Sequence, residues 1–251
     1  MRPLPLVIAH RGDSAHRPEN TLASFAAALE LGAELVEFDI QLTRDGHVVV
    51  IHDPVLDRTT SGRGPVREHT LGEIRALSAG YPDRFGSDFA GERVPTLAEV
   101  LHLLRGRARA LVEIKHESVS EADEDGIEAL AIAEVRKAAV SDGVAFLSFS
   151  RRALERCRKR APEIPRGHNF FRSSVDEVLE GARAAGTDLV MPEKGMLSLA
   201  LRDRVSAAGL RLATWVVDEP EELRALAPYE LFGVGSNNPG VLLEALAEWG
   251  E

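Results

Sequence analysis

Short apolar runs alternate with longer amphipathic stretches along almost the whole chain. The short runs have the length and composition of strands buried on both faces of a parallel sheet, and the longer stretches have the periodicity of helices packed against it. We predict eight strands: Leu6–His10, Leu35–Leu42, Ala110–Lys115, Val144–Phe149, Pro165–Phe170, Asp188–Met191, Leu212–Val217 and Leu231–Ser236. We predict eight helices: Leu22–Leu31, Leu97–Leu104, Glu121–Ala139, Arg152–Arg160, Val175–Ala185, Ser198–Ala208, Glu219–Leu226 and Gly240–Trp249.

Strict alternation of strands and helices indicates an α/β protein with a parallel sheet and helices outside it. Eight units within 251 residues predict a (β/α)8 TIM barrel, which commonly forms one domain of about 250 residues. We therefore expect a single domain over residues 1–251. An open doubly wound sheet is the alternative, but the chain has no Gly-rich phosphate loop of the Rossmann type.

One extra strand and one long connection interrupt the alternation after the second strand. The run His47–His52 follows Arg44-Asp45-Gly46, whose Asp-Gly pair favours a hairpin turn. The segment Pro54–Pro95 then continues with only one short predicted helix, Leu71–Leu77. Long connections of this kind are usually functional. We expect an ordered cover near one face of the barrel, because Tyr81, Phe85 and Phe89 give it a packing surface.

Charge and cysteine content exclude several classes of protein. The net charge is −10 and no long basic run is present, which argues against a nucleic-acid partner. The one cysteine, Cys157, lies in a helix-like run and excludes an internal disulfide framework, so we interpret it as a buried thiol. The apolar N-terminus is too short for a signal peptide, and no run reaches the ~20 residues of a spanning helix. We expect a cytoplasmic protein without stable membrane insertion.

Three carboxylates follow the spacing of residues on one side of a strand. Glu37 and Asp39 are two positions apart, as are Glu113 and Lys115 on the next barrel strand. Adjacent carboxylates resist ionisation unless a cation compensates them, and oxygen ligands without cysteine favour Mg²⁺ or Ca²⁺. The alternative is structural ion pairs, Glu37 with Lys115 or Asp39 with Arg11. Their common position at the ends of successive strands favours one divalent metal site.

Two histidines also stand at strand ends. His10 ends the first strand and His52 ends the hairpin strand, and imidazole titrates near neutral pH. Cleavage of a phosphodiester needs a base for the attacking oxygen and an acid for the leaving oxygen, which two histidines can supply. Arg11 and Lys115 can neutralise phosphoryl oxygens. His168, near the end of the fifth predicted strand, could reach the mouth of the barrel, but we do not assign it a catalytic role.

The motifs that carry this chemistry resemble those of the glycerophosphodiester phosphodiesterase family. The matching pieces, in family order, are His10-Arg11-Gly12, Pro18-Glu19-Asn20-Thr21, Glu37-x-Asp39, His52-Asp53 and Glu113-x-Lys115, followed by Ser148-Phe149-Ser150, Trp215-Val216-Val217 and Ser236-Asn237-Asn238-Pro239. The likeness extends from about residue 7 to residue 239. Any one triplet is a weak signal, whereas the early pieces in this order are highly specific.

The resemblance implies a (β/α)8 barrel that uses a divalent cation to hydrolyse glycerophosphodiesters to an alcohol and glycerol 3-phosphate. It implies that His10 and His52 form the acid/base pair, without saying which is which. It also implies that the metal is bound by Glu37, Asp39 and Glu113, and that the phosphate is bound by Arg11 and Lys115. Trp215 stands where an aromatic wall for the glycerol or alcohol group would lie, or else packs in the core. Asn20 or Thr21 can cap the first helix.

Several alternatives stay open at this point. The neighbouring glycerol hydroxyl can attack to give a cyclic phosphate, or water can attack directly. A lysophospholipase D-like activity would need an apolar surface on Pro54–Pro95, where none is evident, so we favour small, deacylated substrates and expect this segment to set the alcohol preference. A non-catalytic binder of phosphate esters would need the cations but not two histidines. The head-group alcohol, the metal and the oligomeric state are not predicted.

Overall fold

Eight parallel strands close into a barrel, because the first strand pairs with both the second and the last. The computed structural model describes residues 4–121 and 126–250. Its strands are β1 Leu6–His10, β2 Leu35–Leu42, β3 Val48–Val50, β4 Arg109–Ile114, β5 Val144–Ser148, β6 Arg166–Phe170, β7 Leu189–Pro192, β8 Arg211–Trp215 and β9 Gly233–Ser236. The extra strand β3 runs antiparallel to β2, as the hairpin turn predicted. The predicted (β/α)8 barrel is confirmed.

Helices connect the strands around the outside. They are α1 Leu22–Glu30, α2 Leu71–Arg75, α3 Pro82–Phe85, α4 Leu97–Leu104, α5 Ile127–Ala138, α6 Arg151–Arg160, α7 Val175–Ala185, α8 Leu199–Ala207, α9 Pro220–Ala225 and α10 Pro239–Gly250. The prediction that began α5 at Glu121 includes residues 122–125, which lie outside the described residues. Among the helices described, none combines the length and the apolar character needed to cross a bilayer.

The alternation along β2 explains how one strand serves both the core and the site. Val36, Phe38 and Ile40 point outward and join the core between sheet and helices, where the rings of Phe38 and Phe25 of α1 lie 5.6 Å apart. The residues between them, including Glu37 and Asp39, therefore face the barrel interior.

An apolar layer fills the barrel below the polar ends of the strands. It consists of seven residues from six strands: Ile8, Leu35, Leu111, Leu147, Leu189, Met191 and Ala213. Such layers make the interior of a TIM barrel a packed core rather than a pore. The charged residues at the carboxyl ends of the strands thus lie above a buried apolar layer.

The insertion Pro54–Pro95 folds around a small core of its own. This core joins β3 to the insertion through Val49, Ile51, Leu56, Val66, Ile74, Ala79 and Val94. Helix α2 begins with a capping box between Thr70 and Glu73. The predicted aromatic packing is confirmed, since Tyr81, Phe85 and Phe89 form edge-on contacts with centroids 6.2 and 5.4 Å apart.

Candidate active site

Strand register brings the acidic residues and His10 together. Asp39 on β2 is the register partner of Glu113 on β4, and His10 on β1 is the partner of Glu37. These side chains surround a cavity at the carboxyl ends of the strands. It is lined by Ile8, His10, Arg11, Glu37, His52, Glu113, Lys115, Leu147, Phe149, Asn169, Met191, Trp215 and Gly235. The predicted residues therefore meet in one place, Asp39 lying beneath the cavity beside its register partner.

Three buried carboxylates are close enough to share one cation. One oxygen each from Glu37, Asp39 and Glu113 lies within 4.8 Å of the others. Two oxygens that bind one ion from opposite sides, each about 2.4 Å from it, are about 4.8 Å apart. The spacing of the three carboxylates is therefore compatible with one shared cation. Lys115 Nζ lies 2.7 Å from Glu113 Oε1 and 3.4 Å from Asp39 Oδ1, and Arg11 Nε lies 3.2 Å from Asp39 Oδ2. Ion pairs and a carboxylate cluster thus coexist, and two cations face three carboxylates.

The pKa values of these carboxyl groups diverge. Burial raises the pKa of Glu37 well above its ordinary value, and the charges of Asp39 and Glu113 raise it further. Burial also acts to raise the pKa of Asp39, but Arg11 and Lys115 outweigh it and lower that pKa. Glu37 is therefore the group whose negative charge most lacks compensation. An additional cation would remove this deficit.

A hydrogen-bond chain fixes the ring of His10. Asn237 Nδ2 donates to Asp218 Oδ2 at 2.9 Å, so the amide oxygen of Asn237 faces His10 Nδ1 at 2.8 Å and can only accept. Nδ1 of His10 therefore carries the proton, and Nε2, which lies 3.9 Å from Glu37 Oε2, holds a free lone pair. Burial and the charge of Arg11 together lower the pKa of His10 to about 4.

His52 has an anionic acceptor instead. Its Nδ1 lies 2.7 Å from Asp53 Oδ1. Burial raises the pKa of Asp53, but hydrogen bonds from Arg58 and His52 outweigh burial and bring the pKa to about 2. This carboxylate is ionised at neutral pH and only accepts, so Nδ1 of His52 is the donor and Nε2 is the nitrogen that faces the cavity.

The turn after β1 requires glycine at position 12. Arg11 has a left-handed backbone with φ 60°, and Gly12 follows at φ 86°. A Cβ on Gly12 would lie 2.6 Å from the backbone carbon of Ser24 in α1. This close approach lets Arg11 turn back toward Asp39 and lets Ser24 Oγ donate to the Arg11 carbonyl at 2.8 Å.

We expect Gly12→Ala to destabilise the protein by about 2–4 kcal/mol, because it adds a steric conflict to a left-handed backbone. Gly32→Ala is the matched control, since Gly32 has φ 88° and an added Cβ there would have no atom within 4 Å. Gly32→Ala should lower the free energy of unfolding only by the cost of an alanine in a left-handed backbone, about 1–2 kcal/mol. Urea unfolding midpoints compare the two, and equal losses would contradict the steric explanation.

The remaining predicted residues have mixed surroundings. Trp215 lines the cavity, donates from Nε1 to the Met191 carbonyl at 3.2 Å and packs edge-on against Phe149. His168 faces α7, because a Cβ on Gly181 would lie 3.1 Å from its ring. Cys157 is buried, and burial raises its pKa to about 12, as expected of an unreactive thiol.

Several residues of the site were missed in the sequence. Asn20 Nδ2 donates to Asp39 Oδ2 at 2.8 Å, and Asn169 Nδ2 donates to Glu113 Oε2 at 2.9 Å. Thr21 caps α1 as predicted, which leaves Asn20 for the site. Inward alternation from Gly167 would have indicated Asn169 rather than His168. Nothing in the sequence pattern indicates Arg58 or Asp218.

Comparison with known proteins supports the assignment made from the motifs. The model of the glycerophosphoryl diester phosphodiesterase family matches residues 10–241. The chain is 37% identical over 252 residues to a glycerophosphodiester phosphodiesterase from Caldanaerobacter subterraneus subsp. tengcongensis, covering 98% of this chain and 99% of that protein. It is 30% identical over 254 residues to one from Bacillus subtilis, covering 93% and 84%.

Solved structures have the same fold over nearly the whole chain. A phosphodiesterase from Oleispira antarctica, in complex with the product sn-glycerol-3-phosphate, has a TM-score of 0.84 at 28% identity, covering 97% of each chain. A glycerophosphodiester phosphodiesterase from Agrobacterium tumefaciens has a TM-score of 0.81 at 28% identity, covering 96% of this chain and 100% of that one. The barrel, the motifs and these relatives together show that the chain belongs to the glycerophosphoryl diester phosphodiesterase family, whose members are phosphoric diester hydrolases.

Proposed function

We propose that this protein hydrolyses glycerophosphodiesters to an alcohol and glycerol 3-phosphate, using one divalent cation and the histidine pair. One observation carries the proposal: His10 and His52 line the same cavity as Glu37 and Glu113, and each histidine has its own Nδ1 acceptor. A phosphate-ester binder would need the cations but would gain nothing from two oriented imidazoles. The relatives named above are glycerophosphodiester phosphodiesterases, which supports the same substrate class.

The carboxylate cluster fits a hard divalent cation. Glu37, Asp39 and Glu113 are buried oxygen donors, and the mutual repulsion that raises the pKa of Glu37 disappears when a cation is bound. Mg²⁺ or Ca²⁺ suits this donor set. When bound, the cation would polarise a phosphoryl oxygen and lower the pKa of a coordinated hydroxyl.

The two histidines suit opposite proton transfers. His10 is neutral at pH 7, because its pKa is lowered and its acceptor, Asn237, is uncharged, so its Nε2 can take a proton from the attacking oxygen. His52 is oriented by the anionic Asp53, which accepts from its Nδ1, so its Nε2 is placed to give a proton to the leaving alcohol oxygen. His10 is thus proposed as the base and His52 as the acid. Attack by a glycerol hydroxyl and attack by water both use this arrangement.

Arg11 and Lys115 are proposed to bind the phosphate. Both line the cavity, and both are held in place by carboxylates: Lys115 by Glu113 at 2.7 Å, and Arg11 by Glu19 at 2.9 Å. Cations that are already fixed lose little conformational freedom when the phosphoryl oxygens arrive. Trp215, half-buried in the cavity wall, is proposed to contact the glycerol or alcohol group.

The surface near the cavity suits small, deacylated substrates. The large hydrophobic side chains exposed in the described part of the chain are Leu4, Leu31, Val55, Phe171 and Leu199, which come from five separate segments and include one residue of the insertion, Val55. None of the described residues of the insertion is among those that line the cavity; His52, which is, lies two positions before the insertion begins. That Pro54–Pro95 sets the alcohol preference stays a prediction.

A turnover assay tests the proposal directly. The purified protein is stripped of metal, reloaded with Mg²⁺ or Ca²⁺, and given glycerophosphocholine and glycerophosphoethanolamine. We expect glycerol 3-phosphate and the free alcohol in equal amounts, and only with metal present. Release of choline phosphate, or binding without turnover, would contradict the proposed function.

A further inference from the structure

Arg58 of the insertion has a guanidinium whose five N–H donors all have protein partners. Nε donates to Asp53 Oδ2 at 2.7 Å, and Nη2 donates to Asp53 Oδ1 at 3.0 Å and to Glu19 Oε1 at 2.9 Å. Nη1 donates to Glu19 Oε2 at 2.7 Å and to the Tyr81 hydroxyl at 3.4 Å. A guanidinium with no donor left cannot also bind a phosphoryl oxygen.

The two carboxylates that Arg58 joins, Asp53 and Glu19, contact different parts of the site. On one side, Asp53 accepts from Nδ1 of His52. On the other side, Glu19 accepts from Arg11 at 2.9 Å, and Arg11 Nε lies 3.2 Å from Asp39 of the carboxylate cluster. Charges therefore alternate without a break from the carboxylate cluster to His52, and Arg58 is the link supplied by the insertion.

We propose that Arg58 is a positioning residue that holds the Asp53 carboxylate in the plane in which it can fix His52 for proton donation. The inference rests on the proposed role of His52 as the acid. Asp53 is partly exposed, so a single hydrogen bond to His52 leaves its carboxylate free to rotate. The two parallel bonds from Arg58 remove this freedom, as bidentate arginine–carboxylate pairs do.

The insertion in turn fixes Arg58. The guanidinium carbon lies 5.4 Å from the centroid of the Tyr81 ring, and Tyr81 contacts Phe85 in the aromatic group of the insertion. Arg58 thus connects the folded insertion to the orientation of His52 without touching substrate. A lysine at this position would keep the charge but could not pair two carboxylates bidentately.

Two substrates that differ in their leaving group test whether Arg58 acts through His52. The metal-loaded Arg58→Gln variant should lose about 10–100-fold in kcat on glycerophosphocholine, the range seen when a supporting hydrogen-bond partner is removed. Its loss on a nitrophenyl glycerophosphodiester should be under about 3-fold, because that leaving group needs little acid. KM should change little on either substrate. Arg58→Lys should behave like Arg58→Gln and serves as the second variant if Arg58→Gln does not fold.

Arg63→Gln is the matched control, because Arg63 lies in the same insertion, has a side chain that is 90% exposed and approaches its partner Asp57 no closer than 3.9 Å. It should leave both rates unchanged. Equal losses on the two substrates, or no loss on glycerophosphocholine, would show that Arg58 only stabilises the insertion and would overturn the inference.

A second measurement does not need turnover. At pH 9, above the ordinary titration range of imidazole, ¹⁵N NMR should find His52 protonated on Nδ1 in the wild-type protein and in a mixture of tautomers in Arg58→Gln. An unchanged tautomer in the variant would overturn the inference. An inactive wild-type protein with the expected tautomer change would overturn the proposed function instead.

Discussion

His52→Ala should lower kcat on glycerophosphocholine by roughly 10²–10⁴-fold and have a much smaller effect on a nitrophenyl glycerophosphodiester. The choline alkoxide is a poor leaving group and needs the proton that His52 is proposed to give, whereas nitrophenolate leaves without one. His10→Ala should lose a comparable factor on both substrates, since the attacking oxygen needs a base in either case. Steady-state kinetics on the two substrates, with circular dichroism to confirm folding, make the comparison.

The acceptor of His10 offers an independent check on its role as the base. Asn237→Asp combined with Asp218→Asn would place a charged acceptor against His10 Nδ1, which is now bonded to a neutral amide at 2.8 Å, without setting two carboxylates 2.9 Å apart. This change should raise the pKa of His10 and move the acidic limb of the pH–rate profile to higher pH, since the base must be neutral to act. If His10→Ala and His52→Ala respond alike to the leaving group, the separate assignment of base and acid is wrong.

Glu37→Gln should abolish metal-dependent turnover, with a loss of roughly 10³-fold or more for the several kcal/mol that a metal contributes. Calorimetry should detect no Mg²⁺ or Ca²⁺ binding to the variant. Glu34→Gln is the control, because Glu34 is an exposed carboxylate just before the same strand, at the opposite end of the barrel. Retention of metal-dependent activity in Glu37→Gln would remove Glu37 from the ligand set.

The same substitution should stabilise the metal-free protein. Folding raises the pKa of Glu37. Its contribution to the free energy of unfolding is therefore fully present at low pH, where the carboxyl group is protonated, and is lost as the pH rises through the folded-state pKa. In chelator at pH 8, Glu37→Gln should therefore melt roughly 2–4 °C higher, about 1 kcal/mol for a domain of this size, with a smaller difference at pH 5. A lower melting temperature would mean that the carboxylates do not repel one another.

The sequence predicts the barrel well because its signals are local. Period-two alternation puts Glu37 and Asp39 on the face opposite Phe38, and strand order puts Glu113 next to them. These positions depend only on strand spacing and on the parallel register. The ion-pair alternative is right only in part: Arg11 pairs with Asp39, whereas Lys115 pairs with Glu113 and Asp39 rather than with Glu37, and the carboxylate cluster is present as well.

The supporting residues could not be predicted, because their partners are set by tertiary packing. Arg58 reaches Glu19 across 39 positions of sequence, and Asn237 reaches His10 across 227. Pro18-Glu19-Asn20-Thr21 was interpreted as a helix start, and only Thr21 serves that purpose. The left-handed backbone of Asn20, with φ 59°, turns its amide toward Asp39, and a propensity argument does not give that direction.

Because His10 is oriented by its hydrogen bond to Asn237, enzyme activity should recover during refolding only after this hydrogen bond has formed. The bond joins residues 227 positions apart, and it can form only when β9 has docked beside β1. Contacts so distant along the chain close large loops and form slowly, whereas the helices depend on local contacts. In refolding from denaturant, helical circular dichroism should therefore recover before enzyme activity, and the interval between them would measure the time taken to close the barrel.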